Sequence, residues 1–253
     1  METDVFPLPE ESAAGRSPDE RVYSPVAPWW HTAVLLAPIL FFSLMGGQRA
    51  ARQNAGEHHG LQYLLTMVWE WVLAALVLWG IRLRGVPLRK LLGERRASAA
   101  EWKTDLLLAA AFWIAASVVL AVLGLLLQFA HVASPQKTLA LLAPRNGTEV
   151  TLWILLSISA GICEELVFRG YLLQQFASVK DRLWVGVVVS SLLFGMAHGY
   201  EGVAGILAIT AYGAMFCALA IGRKSLRAGM MAHAWHDIVS GMALMLLHHA
   251  HVM

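Results

Sequence analysis

Gly161-Ile162-Cys163-Glu164-Glu165-Leu166-Val167-Phe168-Arg169-Gly170 places two carboxylates and a guanidinium within six residues, inside the otherwise apolar run Val150 to Phe176. Holding one such charge near the centre of a bilayer costs roughly 2.5 to 3.5 kcal/mol on insertion scales. Charges kept at that cost mark a functional site by default. The run around them is a membrane-spanning helix.

Composition agrees with that reading. The chain has 253 residues, of which 58% are hydrophobic and 14% charged, and its mean hydropathy is +0.59. Such a chain is too apolar for an ordinary soluble domain. The expected fold is an all-α, polytopic transmembrane helical bundle of about seven to eight spans. The formal net charge of +2 and the lack of a basic stripe with interleaved aromatics argue against a nucleic-acid partner. Cys163 and Cys217, the only cysteines, lie in apolar runs as small buried hydrophobes and define no disulfide framework.

Outward from the motif, residues 1–28 are rich in Pro, Ser and Glu and read as a disordered cytoplasmic tail. The transmembrane domain then covers 29–247, and 248–253 form a short tail. The expected spans are Trp29 to Gly46, Leu61 to Ile81, Leu106 to Phe129, Val150 to Phe176, Leu183 to Ala197, Gly202 to Ile221 and Ala228 to Leu247. The second contains a lone carboxylate, Glu70, for which a structural partner in the bundle and a functional role are equally open. The basic segment Arg82 to Lys103 is expected to include a short surface helix. Asn146-Gly147-Thr148 matches a glycosylation sequon but abuts the membrane, so chance explains it best.

Seven spans put fourteen Lys and Arg residues on the side of the N-terminus and four on the other, with Arg169 inside a span. The positive-inside rule therefore predicts a cytoplasmic N-terminus and an outside C-terminus. This topology contains one tension. At 1.5 Å per residue, Glu164 and His198 lie roughly 22 Å from the turn at 178–183, whereas His233 lies only about 9 Å beyond Arg227. The levels converge if Gln174 to Arg182 projects beyond the membrane, or if the connection before the last span dips inward.

Within the opening stretch, Glu165 and Arg169 are four apart, acid first, which favours an ion pair on one helix face. Glu164 is five from Arg169 and faces the bundle interior, where its low-dielectric surroundings suit a general base. Phe194-Gly195-Met196-Ala197-His198 closes the fifth span, and His233-Ala234-Trp235-His236-Asp237 lies early in the seventh. Each histidine alone reads as a satisfied polar group of the bundle. With Glu164 they form a set.

These three segments resemble the signature of the CPBP family, the CAAX proteases and bacteriocin-processing enzymes also called Abi proteins. That signature runs EExxxR, then FxxxH, then HxxxN or HxxxD. Here it is carried by Glu164 to Arg169, Phe194 to His198 and His233 to Asp237, and the similarity covers residues 150–247, the expected peptidase core. The resemblance implies an intramembrane endopeptidase of about eight helices that acts on a membrane-associated or lipidated peptide in the bilayer. It implies that Glu164 activates a water, His198 orients it, and His233 with the residue at 237 stabilises the oxyanion. Glu165, Arg169 and Phe194 would support the site. An integral protein of a bacterial plasma membrane is expected.

Asp237 departs from the better-known Asn. An ionised aspartate only accepts hydrogen bonds, so it is expected to orient His233 or His236, to act as a protonated donor, or to leave the donor role to His236. HExxH is absent, and catalysis without a cofactor is favoured. The alternative is zinc on Glu164, His198 and His233. Ser157, Ser159, Ser190 and Ser191 sit on small-residue helix faces and make no nucleophile. Two other functions stay open: a non-catalytic bacteriocin-immunity or scaffold protein of the same family, and a proton-coupled transporter. The absence of internal repeats weighs against the transporter.

Overall fold

The computed structural model describes residues 22–50, 59–93, 98–132 and 142–249, and these are helical with no strand among them. The order is α1 (Trp29–Ala50), α2 (Gly60–Leu83), the short α3 (Arg89–Leu92), α4 (Ala99–Phe129) and α5 (Gly147–Glu164). A π-helical segment, Glu165–Leu172, then joins α5 without a break to α6 (Leu173–Lys180). The chain closes with α7 (Leu183–Ala197), a single 3₁₀ turn (Gly199–Glu201), α8 (Gly202–Arg223) and α9 (Arg227–His249). Counting α5 to α6 as one, the described residues give seven long rods in the expected order.

By length and composition, Gly60–Leu83, Ala99–Phe129, Gly147–Lys180 and Gly199–Arg223 can each cross a membrane, while Trp29–Met45 and Leu183–Ala197 are shorter apolar helices. α9 is not among them. Its 23 residues are long enough, but His233, His236 and Asp237 dilute its apolar surface. The outward faces are apolar, with Leu44, Leu61, Leu106, Phe129 and Leu246 well exposed. The all-helical membrane bundle is thus observed.

Local chemistry sets the helix starts. Ser98 accepts from the Glu101 N–H at 3.2 Å and caps α4. Asn146 does the same for Glu149 at 3.0 Å at the start of α5, so the sequon-like triplet is a helix cap.

Helix directions follow from the contacts. Tyr63 and Trp153 rings meet at 5.4 Å, and the His59 N–H donates to Glu149 at 3.4 Å, so α2 and α5 run parallel from their starts. α9 runs against α5: the Trp153 indole donates to the Asp237 carbonyl at 2.9 Å, while Gly161 lies near Met230. A Cβ on Gly161 would come within 2.7 Å of the Met230 carbonyl. This close approach lets α9 bring His233 beside the π segment.

The convergence of levels has a physical basis at one end of the bundle. Gly147–Lys180 spans 34 residues, about 50 Å at 1.5 Å per residue against a hydrocarbon core of about 30 Å. Its overshoot is covered by protein. Gln174 donates to the Lys90 carbonyl at 3.1 Å, and α3 also receives the α8–α9 turn through a Leu226 N–H to Leu92 bond of 3.0 Å.

Residues 22–28, expected as the end of a disordered tail, form part of that cover, whereas 1–21 lie outside the described residues. The Val22 and Tyr23 amides donate to the Asp181 carboxylate at 3.2 and 2.7 Å. Those of Val26 and Ala27 both donate to Gln175 Oε1 at 2.8 and 3.1 Å. Gln175 Nε2 returns a bond to the Ala27 carbonyl at 3.0 Å. Residues 250–253 of the expected C-terminal tail lie outside the described residues, and its first two continue α9.

Candidate active site

The opening motif straddles a change of helix type. Glu164 ends α5, and Glu165 starts the π segment, where the Leu173 N–H reaches back five residues to the Phe168 carbonyl. That carbonyl also accepts from Ser190 Oγ at 2.7 Å. Such widened turns recur at functional positions in helices. Here the turn carries both Glu165 and Arg169, so an α-helical wheel describes the motif only in part.

Glu165 and Arg169 are fully buried and pair at 2.9 Å. The guanidinium lies between two rings, 4.1 Å from the centroid of Phe194 and 4.8 Å from that of Phe216, and Nη2 donates to the Gly213 carbonyl at 3.4 Å. Aromatic faces stabilise a desolvated cation. Phe194 therefore covers Arg169 while its edge meets His198 at 4.9 Å and His233 at 6.0 Å.

Glu165 does more than hold Arg169. His233 Nδ1 lies 3.1 Å from Glu165 Oε1, and because an ionised carboxylate only accepts, that nitrogen carries the hydrogen. The ring stacks on Phe216 at 5.2 Å. Its other nitrogen, Nε2, faces two further acids, Glu164 Oε2 and Asp237 Oδ2, each at 3.6 Å. Asp237 therefore does not hold His233 through Nδ1, as an orienting partner would; Glu165 does.

Glu164 keeps partial access, with 21% of its side chain exposed against none for Glu165. The adjacent acids thus differ in surroundings as their positions suggested. His198 ends α7 and donates from Nδ1 to the Phe194 carbonyl at 2.9 Å, which leaves Nε2 as the acceptor of the neutral ring. His198 has electrostatic ties to Asp237 and Glu201. His236 packs on Tyr212 with the rings 4.8 Å apart, and its Nδ1 is buried without a hydrogen bond among the described residues.

Glu70 is not a stray acid. It is 5% exposed, one of its oxygens is buried with no hydrogen-bond partner among the described residues, and its electrostatic neighbours are Glu164, Ser159, Asp237 and His233. The parallel course of α2 beside α5 carries it there.

Several participants were not foreseen. Trp153, which holds the Asp237 backbone, stands eleven residues before Glu164, a spacing that returns to nearly the same helix face at 100° per residue. Tyr200 and Glu201 lie two and three residues after His198, and nearness in the chain was the one signal. Phe216 left no trace in the sequence beyond its apolar character. Among the described residues no group of three or more His, Cys, Asp or Glu side chains is disposed to hold a metal ion.

No curated protein and no solved structure matches the chain. Residues 146–239 do match a family profile, that of the type II CAAX prenyl endopeptidase Rce1-like proteins. The matched stretch begins at the cap of α5, ends two residues past Asp237 and contains all three motifs, so this part of the chain is similar to an Rce1-like type II CAAX prenyl endopeptidase domain.

Proposed function

We propose that the chain is an intramembrane endopeptidase that hydrolyses a peptide bond of a membrane-associated, lipidated substrate with water activated by Glu164. One observation carries the reading: of the two adjacent acids, Glu165 is consumed by Arg169 and His233, whereas Glu164 stays partly exposed opposite His233 Nε2 at 3.6 Å.

A carboxylate so placed removes a proton from water as its oxygen attacks the carbonyl carbon. The free Nε2 of His198 accepts the water's second hydrogen and orients it. His233 is fixed by Glu165 and faces the reacting centre. Glu164 then returns the proton to the leaving amine. The name of the matched family suggests a prenylated peptide with a C-terminal CAAX sequence as substrate. The distribution of Lys and Arg favours a cytoplasmic N-terminus.

The test uses the purified chain in nanodiscs with a farnesylated CAAX peptide. Glu164→Gln should lose at least a thousandfold in turnover while melting at the same temperature, and excess chelator should leave the parent enzyme unaffected. Cleavage that survives Glu164→Gln sinks the glutamate mechanism, and no cleavage by the parent chain favours a binding or scaffold role. Substrate trapping with Glu164→Gln, followed by mass spectrometry, identifies the natural target.

A further inference from the structure

We infer that Tyr200 donates the hydrogen bond that stabilises the oxyanion, an inference that rests on the peptidase reading above. Among the described residues, side chains tied electrostatically to Glu164 include Glu70, Cys163, Tyr200, Glu201, His233 and Asp237. Three are carboxyl groups, which as ions only accept. The S–H of Cys163 is a weak donor. His233 has committed its Nδ1 hydrogen to Glu165, and its Nε2 donates only when the ring is doubly protonated. The phenol of Tyr200 is a donor in its ordinary state.

The ring that carries that phenol packs beside His198, the residue that orients the water. The Tyr200 ring lies 5.8 Å from the ring of His198. Its hydroxyl is beside the Glu201 carboxylate and within electrostatic reach of both Glu164 and Asp237. The three-residue turn that carries it is pinned on several sides. The Gly199 N–H donates to Ser43 Oγ at 3.0 Å, and Ser43 Oγ donates to the Met196 carbonyl at 2.5 Å. Gly202 ends the turn at a φ of +75°, a backbone that favours glycine. Glu201 lies in a notch at Gly205, where an added Cβ would collide with the Glu201 Cβ. Tyr200 is therefore held by the scaffold, as an oxyanion donor must be.

Water oxygen bonds to the carbonyl carbon while its proton passes to Glu164. The C=O pair moves to oxygen, and that negative oxygen accepts the Tyr200 O–H, which turns from Glu201. Collapse restores the carbonyl, breaks the C–N bond, and Glu164 delivers the proton to the departing amine.

Tyr200→Phe should lower kcat on the farnesylated CAAX peptide by on the order of a hundredfold or more, the usual cost of one oxyanion donor, with KM unchanged. Asp237→Asn added to Tyr200→Phe should recover at least tenfold, because the new amide supplies an N–H in the same site. A Tyr200→Phe enzyme within threefold of the parent overturns the inference, and the peptidase reading stands if Glu164→Gln is inactive in the same assay. A large loss that Asp237→Asn does not relieve makes the phenol structural and also overturns it. Full activity of Glu164→Gln, or no cleavage by the parent chain, removes the reading and the inference together.

Discussion

His233 donates from Nδ1 to Glu165 Oε1 at 3.1 Å, so the second acid of the motif fixes the imidazole that faces the first. One carboxylate thereby ties two helical elements together: the π segment, through its own backbone and Arg169, and α9 through His233.

Removing the charge of Glu165 leaves Arg169 buried with only the Gly213 carbonyl and the rings of Phe168, Phe194 and Phe216 for company. Glu165→Gln should destabilise the protein by about 3 kcal/mol or more, as expected when one member of a buried pair is lost, and should lower turnover because the His233 ring is released. Thermal unfolding in detergent reads the first effect and peptide cleavage the second. An unchanged melting temperature would contradict the bracing role.

Asp237 and His236 separate in a second comparison. The Asp237 carboxylate faces a nitrogen that already faces Glu164, whereas His236 packs on Tyr212. Asp237→Asn should keep at least a third of parental kcat, with the amide free to donate. His236→Ala should lower the melting temperature and leave kcat within about threefold, since truncating a buried ring mainly costs packing. A hundredfold loss of kcat in His236→Ala would restore that histidine as the donor.

Glu70 sets stability against activity. A buried carboxyl oxygen without a partner costs roughly 1–3 kcal/mol, so Glu70→Leu should raise the melting temperature. Because Glu70 shares its surroundings with Glu164 and His233, the same change should reduce turnover by about tenfold. Stabilising a protein by removing a strained site residue commonly has this signature. Greater stability with full activity would assign Glu70 to neither role.

Asp105 anchors the start of α9. Fully buried, it accepts from Arg223 Nε at 2.5 Å and Arg227 Nε at 2.6 Å, while Glu101 also pairs with Arg223. Asp105→Ala should cost about 3 to 5 kcal/mol by leaving two guanidinium groups undercompensated. Hydrogen exchange should locate the loosening at 223–230. Protection there that matches the parent would exclude the anchor.

Much of the bundle and most of the site could be read from one sequence. The charges of Glu164, Glu165 and Arg169 are conspicuous in an apolar run, and the i, i+4 pair needed only helix geometry. Two kinds of information were out of reach. The π turn depends on hydrogen-bond register, which no side-chain pattern near Phe168 announces. Partners from distant helices, such as Phe216 around Arg169 or Glu70 beside Glu164, depend on helix azimuths that hydropathy does not encode, since α2, Glu70 aside, and α8 have apolar residues on every face. Glu70 could be flagged as costly but not assigned neighbours.

The cover formed by residues 22–28 has a consequence for biosynthesis. Its partners Gln175 and Asp181 lie 148 to 159 residues further along the chain. At about 5 to 20 residues per second, the segment waits on the order of ten to thirty seconds after leaving the ribosome before anything exists for it to clasp. For most of that interval the motif-bearing rod is not yet made. Residues 22–28 therefore dock late although they are made early, and their seating marks a chain whose motif-bearing rod is already in place.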